Sequence, residues 1–212
     1  MLKVEKLIVG YRAGPVASLP QLDLANGEAA LILGPSGSGK TTLLLAIAGL
    51  ARKFGGAVSV DGQDPFALKA GLRDRFRGRA IGFVFQDLHL VAGLSTFDNV
   101  LLAPFAAHQT QDRKRARALL EELGLGAVAN KPAERISRGQ AQRAAIARAM
   151  LLRPKVLLAD EPTASLDDDS CEIVADLLLR AAAETGAALV IATHDARLKA
   201  RVAKTVMAER AA

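Results

Sequence analysis

The chain has 212 residues, half of them hydrophobic, which suits one α/β domain with a sizeable core. Its net charge of +6 could serve nucleic acid, anionic headgroups or merely a basic surface, but one Tyr, no Trp and 4% aromatics argue against base-stacking platforms, so no nucleic-acid partner is expected. No apolar run approaches the roughly 18–20 residues of a membrane span, Met1-Leu-Lys-Val-Glu-Lys begins without a signal-peptide pattern, and the lone Cys171 cannot form an internal disulfide; a cytoplasmic chain is expected.

Leu2 to Tyr11 alternates apolar and polar residues as an edge-type strand does, and Leu22-Asp-Leu24 before Asn26-Gly27 predicts a second strand closing in a tight turn. Ala29 to Leu33 is a short buried strand, and Thr42 to Leu50 reads as a helix. Between them, Gly34, Pro35, Ser36, Gly37, Ser38, Gly39, Lys40 and Thr41 fit G-x-x-x-x-G-K-[ST], the phosphate-binding loop. The glycines let successive N–H groups turn inward around an anion, and the helix end adds about half a positive charge aimed at the same point. Lys40 would reach the β- and γ-phosphates, and the Thr41 hydroxyl would take one position on Mg²⁺.

Ala57-Val-Ser-Val60 with Asp61-Gly62 repeats the strand-and-turn pattern. Basic residues then cluster over Lys69 to Arg79 and again at Arg113-Lys-Arg-Ala-Arg117, as a solvated face or a membrane-proximal or partner-facing patch. Ile81 to Phe85 is β-rich and ends at Gln86, whereas Thr96 to about Met150 reads as helices broken at Gly124, Gly126 and Pro132, a helical subdomain within one domain spanning residues 1–212. Lys155 to Asp160 and Ala187 to Ala192 are buried strands alternating with helices over Asp168 to Glu184 and Asp195 to Ala200, so the core sheet is parallel. Asp160 and Glu161 emerge at the carboxyl end of their strand, where open α/β sheets bind ligands. Asp160 suits the Mg²⁺ shell; Glu161, one residue on, points elsewhere and can polarise an attacking water.

With these motifs in this order the chain resembles the ATP-binding-cassette (ABC) ATPases over nearly its whole length. Tyr11 stands where the family stacks an aromatic ring on adenine, Gly34 to Thr41 is the Walker A loop with Thr42 beside it, and Gln86 is the Q-loop glutamine. Ile136-Ser-Arg-Gly-Gln140 resembles the signature motif, Val156 to Asp160 with Glu161 the Walker B strand and catalytic glutamate, Ser165-Leu-Asp167 the D-loop, and His194 the switch histidine. The resemblance implies a P-loop NTPase of ABC type, with an N-terminal antiparallel β subdomain and a helical subdomain on the parallel core. It implies Mg-dependent ATP hydrolysis, with Thr41, Gln86 and Asp160 at the metal and Glu161, His194, Gln86 and Asp167 in catalysis.

It further implies a head-to-tail homodimer with two composite ATP sites, in which Ser137, Gly139 and Gln140 of one copy face the γ-phosphate held by the other. Ile136 and Arg138 depart from the usual Leu-Ser-Gly-Gly-Gln, while Ser137, Gly139 and Gln140 remain. The implied partners are integral membrane permease subunits at the inner face of the cell membrane, docking over Asp87 to about Ala107. The wording Gly82-Phe-Val-Phe-Gln86 and Ala159-Asp-Glu-Pro-Thr163 looks most like the small cassettes of lipoprotein-release and macrolide-export systems. A cassette that signals through a membrane partner without moving cargo, and a soluble cassette of the DNA-repair or ribosomal kind, are the other functions the resemblance leaves open.

Overall fold

Two apolar periodicities organise the backbone of the computed structural model, which describes residues 1–164 and 166–211. Where alternate side chains are apolar the chain forms an antiparallel sheet from β1 (Leu2–Tyr11), β2 (Gly14–Leu24) and β4 (Arg52–Val60). Where the runs are apolar throughout it forms a parallel sheet, whose inner strands are β3 (Ala29–Leu33), β6 (Val156–Asp160) and β7 (Ala188–Ala192). Every residue of β6 and β7 is buried, as expected of strands covered on both faces.

The helices are α1 (Lys40–Ile47), α2 (Ala70–Ala80), α3 (Thr96–Ala106), α4 (Arg113–Glu122), α5 (Arg138–Met150), α6 (Asp168–Thr185) and α7 (Ala196–Lys199). With β5 (Ile81–Val84), β8 (Lys204–Met207) and β9 (Glu209–Arg210), the parallel sheet takes the order β5-β6-β7-β3-β8 and the antiparallel sheet β4-β1-β2-β9. The pleat divides the core in two. Leu31, Leu157, Ala159, Leu189 and Ile191 face a cluster built with α3 to α6, whereas Ile32, Val156, Leu158 and Val190 face α1 and the antiparallel sheet.

Leu158 is fully buried between these layers. Leu158→Ala should cost about 2–5 kcal/mol of unfolding free energy, read as a lowered urea midpoint with an unchanged slope.

Several boundaries differ from the sequence reading. β2 begins at Gly14 rather than Leu22, and its Pro15 and Pro20 are tolerated because β9 pairs only with Ala17 and Ser18, leaving most of that edge without a ladder. β4 begins at Arg52 rather than Ala57; the Gly55-Gly56 interruption is a ladder irregularity, with Gly56 at φ 77°. The helix after the glycine-rich loop starts two residues earlier than read, at Lys40, and ends at Ile47.

The first basic cluster is α2, which the sequence reading left without a secondary structure. Its only buried residue is Ala80, so it carries no apolar stripe to betray it. In the second cluster, α4, Arg113 and Arg117 both lie over the Phe97 ring at 4.7 Å. β8 and β9 have no counterpart in the sequence reading, because Lys204–Met207 and Glu209–Arg210 are short, mostly exposed and stabilised only by the sheets they extend.

Candidate nucleotide site

The parallel sheet places three strand ends side by side, because β7 lies between β6 and β3. Backbone bonds stitch them together: Glu161 N–H donates to the Ala192 carbonyl at 2.8 Å, and Thr193 N–H to the Ile32 carbonyl at 3.1 Å. The loop after β3, the Asp160-Glu161 pair after β6 and the Thr193-His194 pair after β7 therefore share one edge.

The loop after β3 is shaped for an anion. Gly37 and Gly39 have φ of 76° and 86°, and a Cβ on Gly39 would sit 2.4 Å from Ala17 Cβ, so a side chain there meets both strain and a neighbouring strand. Gly39 caps α1 without any side-chain hydrogen bond, and the first turn holds no acidic residue, which leaves its N–H groups and partial positive charge for a ligand. Lys40 Nζ donates to the carbonyls of Gly34 at 2.9 Å and Pro35 at 3.2 Å and stands 3.6 Å from Glu161 Oε1. Ser38 Oγ is buried without a hydrogen-bond partner among the described residues.

Thr41 Oγ1 donates to Asp160 Oδ2 at 2.7 Å, joining residues 119 positions apart. Asp160 Oδ1 is buried with no partner among the described residues, and burial pushes this carboxyl above the ordinary range. A hydroxyl on one oxygen and a second, unshared oxygen beside a phosphate cradle fit a hard divalent cation, which would reverse that burial penalty.

Glu161 sits at φ 45°, a left-handed turn immediately after β6 that sends its side chain away from that of Asp160. Its Oε1 lies 2.8 Å from His194 Nδ1, and its Oε2 accepts from Thr193 Oγ1 at 3.1 Å and His194 N–H at 3.4 Å. Glu161 is thus held from two sides near the phosphate loop, while the His194 side chain stays 71% exposed. Thr193, fully buried, is missing from the residues expected from sequence; its place at the end of an apolar run directly before His194 is the signal that marks it.

Tyr11 ends β1 and is 52% exposed, its hydroxyl 3.1 Å from Thr42 Oγ1 on α1. That bond keeps the ring beside the phosphate loop with a face open to a planar ligand. Tyr11→Phe should leave ATP affinity within about twofold, since the hydrogen bond it removes is made to Thr42 with or without ligand and the ring remains, whereas Tyr11→Ala should weaken it by about fivefold or more; titration with a fluorescent ATP analogue reads both.

The remaining expected residues lie elsewhere. Gln86 is exposed just past β5, its carbonyl accepts from Arg138 Nη2 at 3.4 Å, and among the described residues its side chain makes no hydrogen bond. Ser137 and Gln140 form a capping box at the start of α5: Ser137 Oγ accepts from Gln140 N–H, and Gln140 Oε1 from Ser137 N–H. Asp167 caps α6, held below the usual carboxylate range by the Ser170 N–H and hydroxyl that donate to it. Ser137, Gly139 and Asp167 share a cleft of roughly 330 Å³, and among the described residues no hydrogen bond or ion pair joins it to residues 34–41. Ser165, of the expected D-loop, lies outside the described residues.

A glycine-turned anion loop at a helix start, its lysine, a hydroxyl–carboxylate pair for a metal and a second carboxylate held by a histidine define a P-loop nucleoside triphosphatase. The chain belongs to the ABC transporter family, whose sequence profile matches residues 19–164, and it is an ATP-binding ATPase subunit of that family. It is 42% identical over 207 residues to the lipoprotein-releasing system ATP-binding protein LolD 1 of Rhodopirellula baltica, covering 93% of this chain and 89% of that protein. It is 43% identical over 203 residues to LolD of Anaeromyxobacter dehalogenans, covering 92% and 85%. Among solved structures, the dimeric post-hydrolysis state of the ATP-binding cassette MJ0796 bound to ADP and Pi superposes with a TM-score of 0.86 at 32% identity, over 99% of this chain and 94% of that one.

Proposed function

We propose that this ATPase drives release of lipoproteins from a membrane, as the ATP-binding subunit of an exporter whose permease subunits are separate chains. The observation that carries the reading is the identity of 42% and 43% to two lipoprotein-releasing ATP-binding proteins over most of both lengths. Among the described residues no helix is long and apolar enough to cross a membrane. The working place is the cytoplasmic face of the cell membrane, and the 212 residues act as one cassette with residues 96–150 as its helical subdomain.

In this reading Gly34 to Thr41 bind the phosphates and Tyr11 the base. Thr41 and Asp160, with Gln86, would hold Mg²⁺, which would supply neutralisation of phosphate charge. Glu161 orients the attacking water, held by Thr193 and His194. Ser137 and Gly139 complete the site of a second copy, the N–H groups at the start of α5 that the capping box leaves unused serving as anion binder, and Asp167 lies at the same face. A groove of roughly 790 Å³ lined by Phe83, Phe85, His89, Leu102 and Ala106 is where the permease docks.

The test is depletion of the protein in its native cells with a gentle-detergent pull-down of the tagged chain. Lipoproteins should stay in the membrane where they are made, and a multi-span membrane protein should co-purify at near-equal amount. Normal lipoprotein release with loss of drug export overturns the cargo; co-purification with ribosomes or DNA-bound proteins alone overturns the transporter assignment of this chain.

A further inference from the structure

Behind Glu161 and His194 a second set of bonds runs outward from the phosphate edge. Thr193 Oγ1, which donates to Glu161, also accepts from Asp195 N–H at 3.0 Å. Asp195 Oδ2 accepts from Thr163 Oγ1 at 2.8 Å, a fully buried threonine in the turn after Glu161. Asp195 is then gripped by Arg197 through the backbone N–H to Oδ1 at 2.9 Å and through Nη2 to Oδ2 at 2.7 Å. The remaining arm of the same guanidinium, Nη1, reaches Asp168 Oδ1 at 2.6 Å, on the first residue of α6 and next to Asp167.

One side chain therefore fastens the turn that bears His194 to the start of α6. The fork geometry of arginine makes this possible: its donors are fixed in one plane, so carboxylates on two sides of it are held at a set angle, which lysine cannot do. The two halves differ in strength. The inner half, to an Asp195 side chain only 15% exposed, is the better shielded and holds that carboxyl far below the usual range; the outer half, to an Asp168 side chain that is 89% exposed, is screened by water.

We propose that Arg197 is a positioning residue for ATP hydrolysis, setting the orientation of the His194–Glu161 pair relative to Asp167 without touching nucleotide. The inference rests on the roles proposed above for Glu161 and His194. It is distinct from a local stabilising role, because Asp168 can be cut from the link while the Asp195–Arg197 grip and the buried packing stay intact.

The experiment is steady-state ATP turnover of the purified full chain with Mg-ATP, alongside affinity for a fluorescent ATP analogue and thermal melting, for Arg197→Ala, Arg197→Lys, Asp168→Asn and the Arg197→Ala/Asp168→Asn double variant. Arg197→Ala should lower kcat about tenfold with KM and analogue affinity within about twofold, the signature of misplaced catalytic groups on an intact binding loop. Arg197→Lys should recover only part of the loss. Asp168→Asn should lower kcat by about threefold with an unchanged Tm, as befits one exposed ion pair, and should add nothing on top of Arg197→Ala.

Wild-type kcat in Asp168→Asn overturns the proposal, as does an Arg197→Ala loss in which Tm and KM shift in step with kcat. Glu161→Gln is run beside them. If it turns over ATP normally, the underlying assignment of Glu161 fails; if it is inactive while Asp168→Asn is normal, the Arg197 inference alone fails.

Discussion

Glu161→Gln should reduce ATP turnover by about 10²- to 10⁴-fold while ATP still binds, because the amide keeps the shape of the carboxylate and loses its charge and basicity. The hydrogen bonds from Thr193 Oγ1 and His194 N–H to Oε2 can be retained by an amide oxygen. What disappears is the negative charge 3.6 Å from Lys40 Nζ and the acceptor opposite His194 Nδ1. Glu161 is only 10% exposed at its side chain, so that charge acts in a partly desolvated place where it is worth more than in water.

Because hydrolysis is blocked after binding, the variant should accumulate as an ATP-bound dimer at saturating Mg-ATP, read by light scattering beside the rate of phosphate release. A variant that stays monomeric under those conditions would count against a site completed by Ser137 and Gly139 of a second copy. A variant that keeps more than a tenth of wild-type turnover would remove Glu161 from the chemistry altogether.

Lys40→Ala should weaken ATP binding by about 100-fold or more, about 2.7 kcal/mol. Lys40 Nζ already donates to the Gly34 and Pro35 carbonyls, so its position at the mouth of the loop is set before any ligand arrives. Charge-assisted bonds of this kind net about 1.5–3 kcal/mol each, and with two of its N–H groups on the loop carbonyls the lysine keeps its third, and its full charge, for a phosphate oxygen. The substitution also takes Lys40 away from Glu161, so the loop and the turn after β6 both lose a partner. Isothermal titration with ATP reads the affinity. A loss of less than threefold would mean that the phosphates sit elsewhere.

The legible part of this site was the part written in neighbouring residues. Gly34 to Thr41 declares its backbone shape through the glycines themselves, since Gly37 and Gly39 take the positive φ that their lack of a side chain permits. The apolar run Val156 to Ala159 followed by two acids declares a buried strand that ends at a ligand edge, and the structure agrees to within a residue. The missed elements carry weak local signals. α2 has a single buried residue, and β8 and β9 exist only because β3 and β2 offer them an edge.

By itself, then, the sequence determined the chemical parts: a phosphate loop and two carboxylates at a strand end, each recognisable from residues within a few positions of one another, with His194 added only by the family resemblance along the whole chain. The tertiary structure alone decided which parts meet. Thr41 and Asp160 pair across 119 residues because β7 is inserted between β3 and β6, and that same insertion carries Thr193 and His194 onto Glu161. Strand order is set by how long-range apolar faces pack together, a cooperative outcome of the whole core that no local window of residues encodes.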